Sequence, residues 1–134
     1  MTLLLLDTTF LIDAERGADD LDELIGDDDD VAIAAITLAE LTVGVRLATT
    51  RQRPRRQSYV DEIAASIPIL PYDEAVADHH ANLLVAVRRA GRPRGAHDLI
   101  IAATAAAAGR TVVSADRRAF DGLPGVHAVD HRNP

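Results

Sequence analysis

Short apolar runs recur along the chain, separated by longer segments in which apolar residues follow helical spacing. Runs this short and this poor in polar residues are typical of strands buried on both faces, as in a parallel sheet covered by helices. The predicted strands are LLLL (3–6), VAIAAI (31–36), IPIL (67–70), TVVS (111–114) and a weaker VHAV (126–129).

The segments between these strands predict helices. They cover 9–15 and 18–25, follow Thr37, start near Pro54 and after a capping Asp73, and include an alanine-rich helix over 97–109 that ends at Gly109. Strand and helix patterns alternate throughout. The sequence therefore predicts one α/β domain over residues 1–134, with three layers, α/β/α, around a mostly parallel sheet.

Composition narrows the class of protein. A chain of 134 residues that is 48% hydrophobic can bury a substantial core, and the lack of cysteine excludes disulfides and thiolate metal sites. The amino-terminal apolar run stops after four leucines and has no basic residues before it, so it is too short for a signal peptide or a membrane span. We expect a soluble, cytoplasmic protein.

The net charge of −7 argues against a protein coated in nucleic acid, but the charges are unevenly distributed. Acidic residues dominate 13–30, whereas basic residues cluster at 51–56, at 88–94 and at Arg117–Arg118. All the basic side chains other than histidine are arginines. Such clusters are usually solvated faces, and phosphate contact is their functional alternative.

Four acids lie at or near the predicted carboxyl ends of strands or at a helix start: Asp7, Glu40, Asp98 and Asp116. In open α/β sheets, functional groups gather at this edge. Thr8, Thr9 and Ser114 add hydroxyl groups beside Asp7 and Asp116.

Each acid also has a structural explanation. Asp7, Asp98 and Asp116 are suited to capping helices, and Glu40 can form a capping box with Thr37 on the first turn of its helix. Their shared location favours a functional explanation, because carboxylates placed together repel each other and the chain has no lysine to neutralise them. A hard divalent cation would relieve that repulsion, so the sequence predicts a Mg²⁺ or Mn²⁺ site.

The segments LLLLDTTFLI, ITLAELTVGV, HDLIIAATAAAAG and VVSADRRAF, in this order and spacing, resemble the PIN-domain ribonucleases. In length the chain is most similar to the VapC-type toxins of bacterial toxin–antitoxin pairs. The resemblance implies that Asp7, Glu40, Asp98 and Asp116 are the metal-binding and catalytic acids, with Thr8, Thr9 and Ser114 supporting them. It gives His97 no catalytic role.

The resemblance also implies a reaction and partners. We expect metal-assisted hydrolysis of RNA that leaves a 5′-phosphate and a 3′-hydroxyl, with Glu40 or Asp116 accepting the proton of the attacking water. A VapB-type antitoxin is the expected protein partner, and Arg92 and Arg94 the expected contacts with RNA or antitoxin. We expect a homodimer that covers Phe10, Leu11 and Leu21. A PIN-like nuclease that is not a toxin and a non-catalytic α/β binding module are the alternatives.

Overall fold

The computed structural model describes residues 1–17 and 25–131. In chain order these residues form β1 (Leu3–Leu6), α1 (Thr8–Glu15), β2 (Asp30–Ala34), α2 (Ala35–Leu47), α3 (Arg53–Ser66), β3 (Ile69–Leu70), α4 (Glu74–Ala90), α5 (Ala96–Ala108), β4 (Thr111–Ser114) and β5 (Ala128–Asp130). A single 3-10 turn, Arg117–Ala119, lies between β4 and β5. The predicted helix over 18–25 lies almost wholly outside the described residues.

The predicted strands 3–6 and 111–114 are confirmed at their bounds. The strands β2 and β3 are shorter than predicted because residues that look equally apolar in sequence belong to the neighbouring helices. Ala35 and Ile36 start α2 instead of ending β2, and Ile67 closes α3, which leaves Ile69–Leu70 as β3. The last strand is Ala128–Asp130 and not 126–129.

The helix signals were accurate where a side chain or a glycine sets the boundary. Asp73 caps α4 by accepting a hydrogen bond of 3.0 Å from the backbone N–H of Val76. Gly109 ends α5 with a φ of 64°, a conformation that glycine adopts without steric cost. Pro54 is the second residue of α3, one position later than predicted.

The sheet is parallel throughout, in the order β3-β2-β1-β4-β5. Because successive side chains point to opposite faces of a strand, Leu5 packs into one core with residues of α4 and α5. Leu4 and Leu6 pack into a second core with residues of α1, α2 and α3. This confirms the predicted three-layer arrangement.

The alanine-rich helix α5 lies inside the molecule, as a helix that is apolar on every side should. Ile101, Ala102, Ala103 and Ala105 are at most 1% exposed. Neither α5 nor any other helix within 1–17 and 25–131 is long and apolar enough to span a bilayer.

Phe10 and Leu11 are each 3% exposed and belong to the core beneath α1. The prediction that they need a second copy of the chain to cover them is therefore wrong. The amphipathic turn of α1 already faces the sheet. Leu21, the third residue in that prediction, lies outside the described residues.

Arg110 joins the first two strands at the amino edge of the sheet. Its Nη1 donates hydrogen bonds to the carbonyl oxygens of Leu4 (3.1 Å) and Asp30 (2.9 Å) and lies 2.7 Å from Asp30 Oδ1. One guanidinium therefore satisfies backbone groups of both β1 and β2. The opposite, carboxyl edge carries the polar groups considered next.

Candidate acidic site

The strand order creates a crevice at the carboxyl edge of the sheet. From β1 the chain builds β2 and β3 on one side, and it returns later to place β4 and β5 on the other. Such a switch in direction is where open α/β sheets hold their functional groups. Asp7 follows β1 at this point, and its backbone N–H donates to Val113 O of β4 at 3.1 Å.

Asp7 is held rigidly by its own chain. Its Oδ1 accepts hydrogen bonds from the backbone N–H of Phe10 (2.9 Å) and from Thr9 Oγ1 (2.8 Å), so it is the N-cap of α1. The residue is only 3% exposed. Burial raises the pKa of this carboxyl above its ordinary value, against the lowering effect of hydrogen bonds from Ser114, Phe10 and Thr9.

Thr9 and Ser114 connect the ends of β1 and β4. Thr9 Oγ1 accepts a hydrogen bond from the backbone N–H of Ala115 (2.8 Å) and lies 3.3 Å from Ser114 Oγ. Ser114 Oγ accepts from the backbone N–H of Asp116 at 2.9 Å. These two hydroxyls therefore fix the turn that leads to Asp116.

Glu40 lies on the second turn of α2, not the first as predicted, because the helix begins at Ala35. Its Oε1 accepts a hydrogen bond of 2.7 Å from Thr8 Oγ1, and its Oε2 lies 3.4 Å from His97 Nδ1. The predicted capping box with Thr37 does not form, since Ala34 is the N-cap and the Thr37 hydroxyl is buried without a partner. Capping therefore does not account for Glu40.

Asp98 is the acid whose pKa the other three carboxylates raise. It lies in the first turn of α5, where Gly95 is the N-cap, and it is half-buried. Burial raises the pKa of the Asp98 carboxyl, and the carboxylates of Glu40, Asp7 and Asp116 raise it further, while His97 lowers it. The four predicted acids thus share one electrostatic environment.

Asp116 is exposed and stands before the 3-10 turn, but its side chain makes no capping hydrogen bond there. Within the described part of the chain, no arginine forms an ion pair with any of the four acids. Nor do any three histidine, aspartate or glutamate side chains there stand close enough to hold a metal ion jointly. The carboxylates therefore influence one another electrostatically, while only those of Asp7 and Glu40 make side-chain contacts in the described structure.

Comparison with known proteins identifies the family of this chain. The model of the PIN domain matches residues 4–125. The chain belongs to the PIN domain family. It is 37% identical over 127 residues to a protein named ribonuclease VapC5 from Mycobacterium tuberculosis, with 92% of each chain covered.

Two further comparisons agree with that membership. The chain is 32% identical over 101 residues to the tRNA(fMet)-specific endonuclease VapC of Shigella flexneri, covering 75% of this chain and 74% of the relative. The crystal structure of VapBC-5 from Mycobacterium tuberculosis, described as a member of the VapBC family of toxin-antitoxin systems, superposes with a TM-score of 0.80. It is 33% identical and covers 97% of this chain and 99% of that one.

Three residues of this PIN domain that sequence analysis gave no functional role influence the four acids. His97 contacts Glu40, and its position next to Asp98 in the sequence was the only available signal. His131 is buried, with Nε2 2.9 Å from Asp13 Oδ2 and its ring edge-on to Phe10, and it lowers the pKa of Asp7. Nothing in the local sequence marks His131 as a neighbour of α1.

Gly95 is the third. A Cβ built at this position would lie 2.7 Å from Asp98 Oδ2, closer than side chains approach one another. The lack of a side chain at 95 therefore leaves the space that the Asp98 carboxylate uses.

The structure gives Arg94 a role that differs from the expected one. Its guanidinium donates hydrogen bonds to the backbone carbonyls of Arg118, Ala119 and Asp121, so it holds the segment after β4 in place. Contact of Arg92 and Arg94 with RNA or an antitoxin stays a prediction.

The raised pKa values of Asp7 and Asp98 predict how metal-free stability depends on pH. Between the unfolded value of 3.8 and the higher folded values, the native state keeps protons that the unfolded chain has released. The free energy of unfolding gains a contribution at low pH that is lost as pH rises through this window. Asp98→Asn removes one repelling carboxylate, so the variant should lose less stability than wild type.

Urea unfolding in EDTA, from pH 4 to pH 8, measures this difference. The stability of the variant relative to wild type should increase with pH. Asp61→Asn is the matched control, because Asp61 is exposed on α3 and its carboxylate accepts a hydrogen bond from Gln57 of the same helix. A pH profile for Asp98→Asn that parallels wild type would contradict the shared environment.

Proposed function

We propose that the protein is the ribonuclease toxin of a VapBC-type pair, and that it hydrolyses RNA phosphodiester bonds at a Mg²⁺ site, with Mn²⁺ as an alternative ion. Asp7, Glu40, Asp98 and Asp116 would hold the ion. The observation that carries the proposal is that the carboxylates of Asp7, Glu40 and Asp116 all act on Asp98, without an arginine paired to any of the four acids in the described residues.

The donor set suits this cation. Mg²⁺ prefers oxygen ligands and is usually held by one or two carboxylates with several retained waters. It therefore does not require three side chains to be gathered before it binds. Asp98, for which no hydrogen-bond partner is seen in the described structure, and the exposed Asp116 are the carboxylates most readily available, whereas Glu40 would exchange its contact with Thr8 or His97.

When bound, Mg²⁺ would supply a water of lowered pKa and offset the negative charge that develops on the phosphate. The chain supplies the geometry. Asp7 is fixed by two hydrogen bonds from residues of α1, and Asp98 stands on a buried helix. Glu40 and Asp116 reach solvent, so either carboxylate can accept the proton of the attacking water and release it.

RNA is the substrate that the relatives support. Both curated relatives are named as nucleases, one as a ribonuclease and one as an endonuclease specific for a transfer RNA. Glu40 and Asp116 reach solvent at this edge of the sheet, which leaves them accessible to a long polymer. A non-toxin PIN nuclease would share this chemistry and differ in its partner.

We also propose a VapB-type antitoxin and a homodimer as partners. The solved relative belongs to a VapBC toxin-antitoxin system. On α2, Val43 and Leu47 are 54% and 81% exposed and lie one helical turn apart. An exposed apolar pair of this kind favours a contact with another chain, in place of the residues of α1 that the fold already buries.

Purified protein should cleave RNA with Mg²⁺ or Mn²⁺ and lose that activity in excess EDTA. Asp98→Asn removes a ligand and should lower the cleavage rate by at least about 100-fold, whereas Asp61→Asn should retain the wild-type rate. Cleavage of labelled RNA on a denaturing gel measures both. Robust cleavage in EDTA by nuclease-free protein would contradict the proposal, and metal-independent binding without cleavage would favour a binding module.

Gly95→Ala tests the space that Asp98 uses. Wild type should gain about 2.7 kcal/mol of stability when Mg²⁺ is present at 100 times its dissociation constant. With Ala at 95 the Asp98 carboxylate must rotate away, so most of this gain should vanish while the protein stays folded. Differential scanning fluorimetry with EDTA or Mg²⁺ measures the gain.

Gly44→Ala is the matched control for that experiment, because a Cβ at position 44 meets nothing within 4 Å. Alanine there replaces glycine inside α2 and should stabilise the protein by about 0.5–1 kcal/mol while keeping the full response to Mg²⁺. Equal Mg²⁺ responses in wild type and Gly95→Ala would show that Gly95 does not position Asp98 for the ion.

Light scattering at micromolar concentration should give a mass of two chains for wild type, and Leu47→Asp should shift it toward one. The aspartate places a charge where the partner would bury an apolar side chain, while Leu47 contributes little to the monomer core. A monomeric wild type would rule out the homodimer without affecting the nuclease proposal.

A further inference from the structure

A groove of about 430 Å³ lies between the end of α1 and the start of α3. Four arginines line it, Arg16 at the end of α1 and Arg51, Arg55 and Arg56 around the first turn of α3, together with Glu15. We call these four arginines and the space between them the basic groove. It lies away from the arginines 88–94 that the sequence favoured.

The guanidinium groups of the basic groove have no carboxylate partner in the part of the chain that the structure describes. Their neighbour Arg53 differs, since it donates to the carbonyl oxygen of Ala48 at 3.0 Å and so closes the turn before α3. The basic groove thus concentrates positive charge that the described structure does not use.

The amino end of α3 adds to that charge. Its N-cap, Gln52, lines the groove and makes no capping hydrogen bond through its side chain. In this helix the N–H of Arg53 is already bonded to Thr49 O at 2.9 Å and Pro54 has no N–H, so the first turn contributes mainly the positive end of the helix dipole. Arginines and helix end together provide charge and hydrogen-bond donors for an anion.

The lining of the groove favours a phosphate backbone over a peptide. Besides the charged residues, it contains only Thr49 and Gln52, so it offers no apolar pocket in which a peptide side chain could anchor. A repeated anion such as the backbone of RNA matches successive guanidinium groups, each of which can bind phosphate oxygens in a fork.

The basic groove also leads to Glu40, one of the four acids. An adjoining cleft shares Glu15, Arg16 and Arg56 with it and continues past Tyr59 to Glu40. A polymer lying in the groove therefore extends directly toward the acidic crevice. The arginines of the basic groove would attract the phosphates of the RNA, which the acids repel.

From this continuity we propose that the basic groove binds the RNA backbone on one side of the cut and directs the strand to the acids. The proposal rests on the proposed ribonuclease function. It assigns substrate contact to Arg16, Arg51, Arg55 and Arg56.

The salt dependence of RNA binding tests this assignment. Fluorescence anisotropy with a fluorescein-labelled single-stranded RNA, in EDTA so that the RNA stays intact, gives Kd at several salt concentrations. Arg51→Gln with Arg55→Gln removes two phosphate contacts, so the slope of log Kd against log salt should fall by about 1.4. Arg88→Gln with Arg89→Gln is the matched control, because it removes the same charge from exposed residues at the end of α4.

The control pair should leave the slope unchanged. Circular dichroism melting checks that both double variants fold, and if the first does not, Arg51→Gln alone should lower the slope by about 0.7. An unchanged slope in the folded groove variant overturns the proposal. So does binding of a polyglutamate peptide that is lost in the variant while RNA binding is retained, since the groove would then serve an acidic protein segment.

The same samples separate this proposal from the ribonuclease proposal. Wild-type cleavage with Mg²⁺ combined with an unchanged slope in the groove variant rejects the groove alone. A reduced slope in the groove variant, combined with no metal-dependent cleavage by wild type, supports RNA binding in the groove and rejects the proposed hydrolysis.

Discussion

The site depends on a buried carboxylate that forms no ion pair with any described residue. Asp7 is 3% exposed, and a charge placed there is tolerated only because backbone and hydroxyl donors surround it. Those donors come from the start of α1 and from the end of β4, so satisfying Asp7 also fixes how these two elements meet. Thr8, in the same turn, reaches the carboxylate of Glu40 on α2. One buried acid therefore organises three elements around the crevice.

Sequence predicted the parts of this arrangement that follow from chain topology. Carboxyl ends of parallel strands share an edge, so residues just after β1 and β4 had to lie near each other. The boundary between β2 and α2 was missed because Ala35 and Ile36 are as apolar as the strand before them, and only tertiary packing decides where the helix begins. His131 was missed because its partner Asp13 is 118 residues away in the sequence. Gly95 was missed because only the structure shows which way the nearby Asp98 carboxylate turns.

The arginines show how little residue type alone reveals about function. Arg110 bonds carbonyl oxygens of two strands, and Arg94 bonds carbonyl oxygens of the segment after β4. A guanidinium offers five donors in a rigid plane, which suits it to bridging backbone acceptors as well as to binding phosphate. The density of arginines marked 51–56 as one of three basic clusters but did not single it out. The structure does, because Arg51, Arg55 and Arg56 line a groove without a carboxylate or carbonyl partner in the described residues.

The contact of His131 with Asp13 and Phe10 couples the end of the sheet to the electrostatics of the crevice. β5 is three residues long and pairs only with β4, so it is an edge strand of the kind that opens most easily by local unfolding. Opening it would withdraw the imidazole that lowers the pKa of Asp7 and would hydrate the ring of Phe10. Local unfolding of β5 and protonation of Asp7 are therefore thermodynamically coupled.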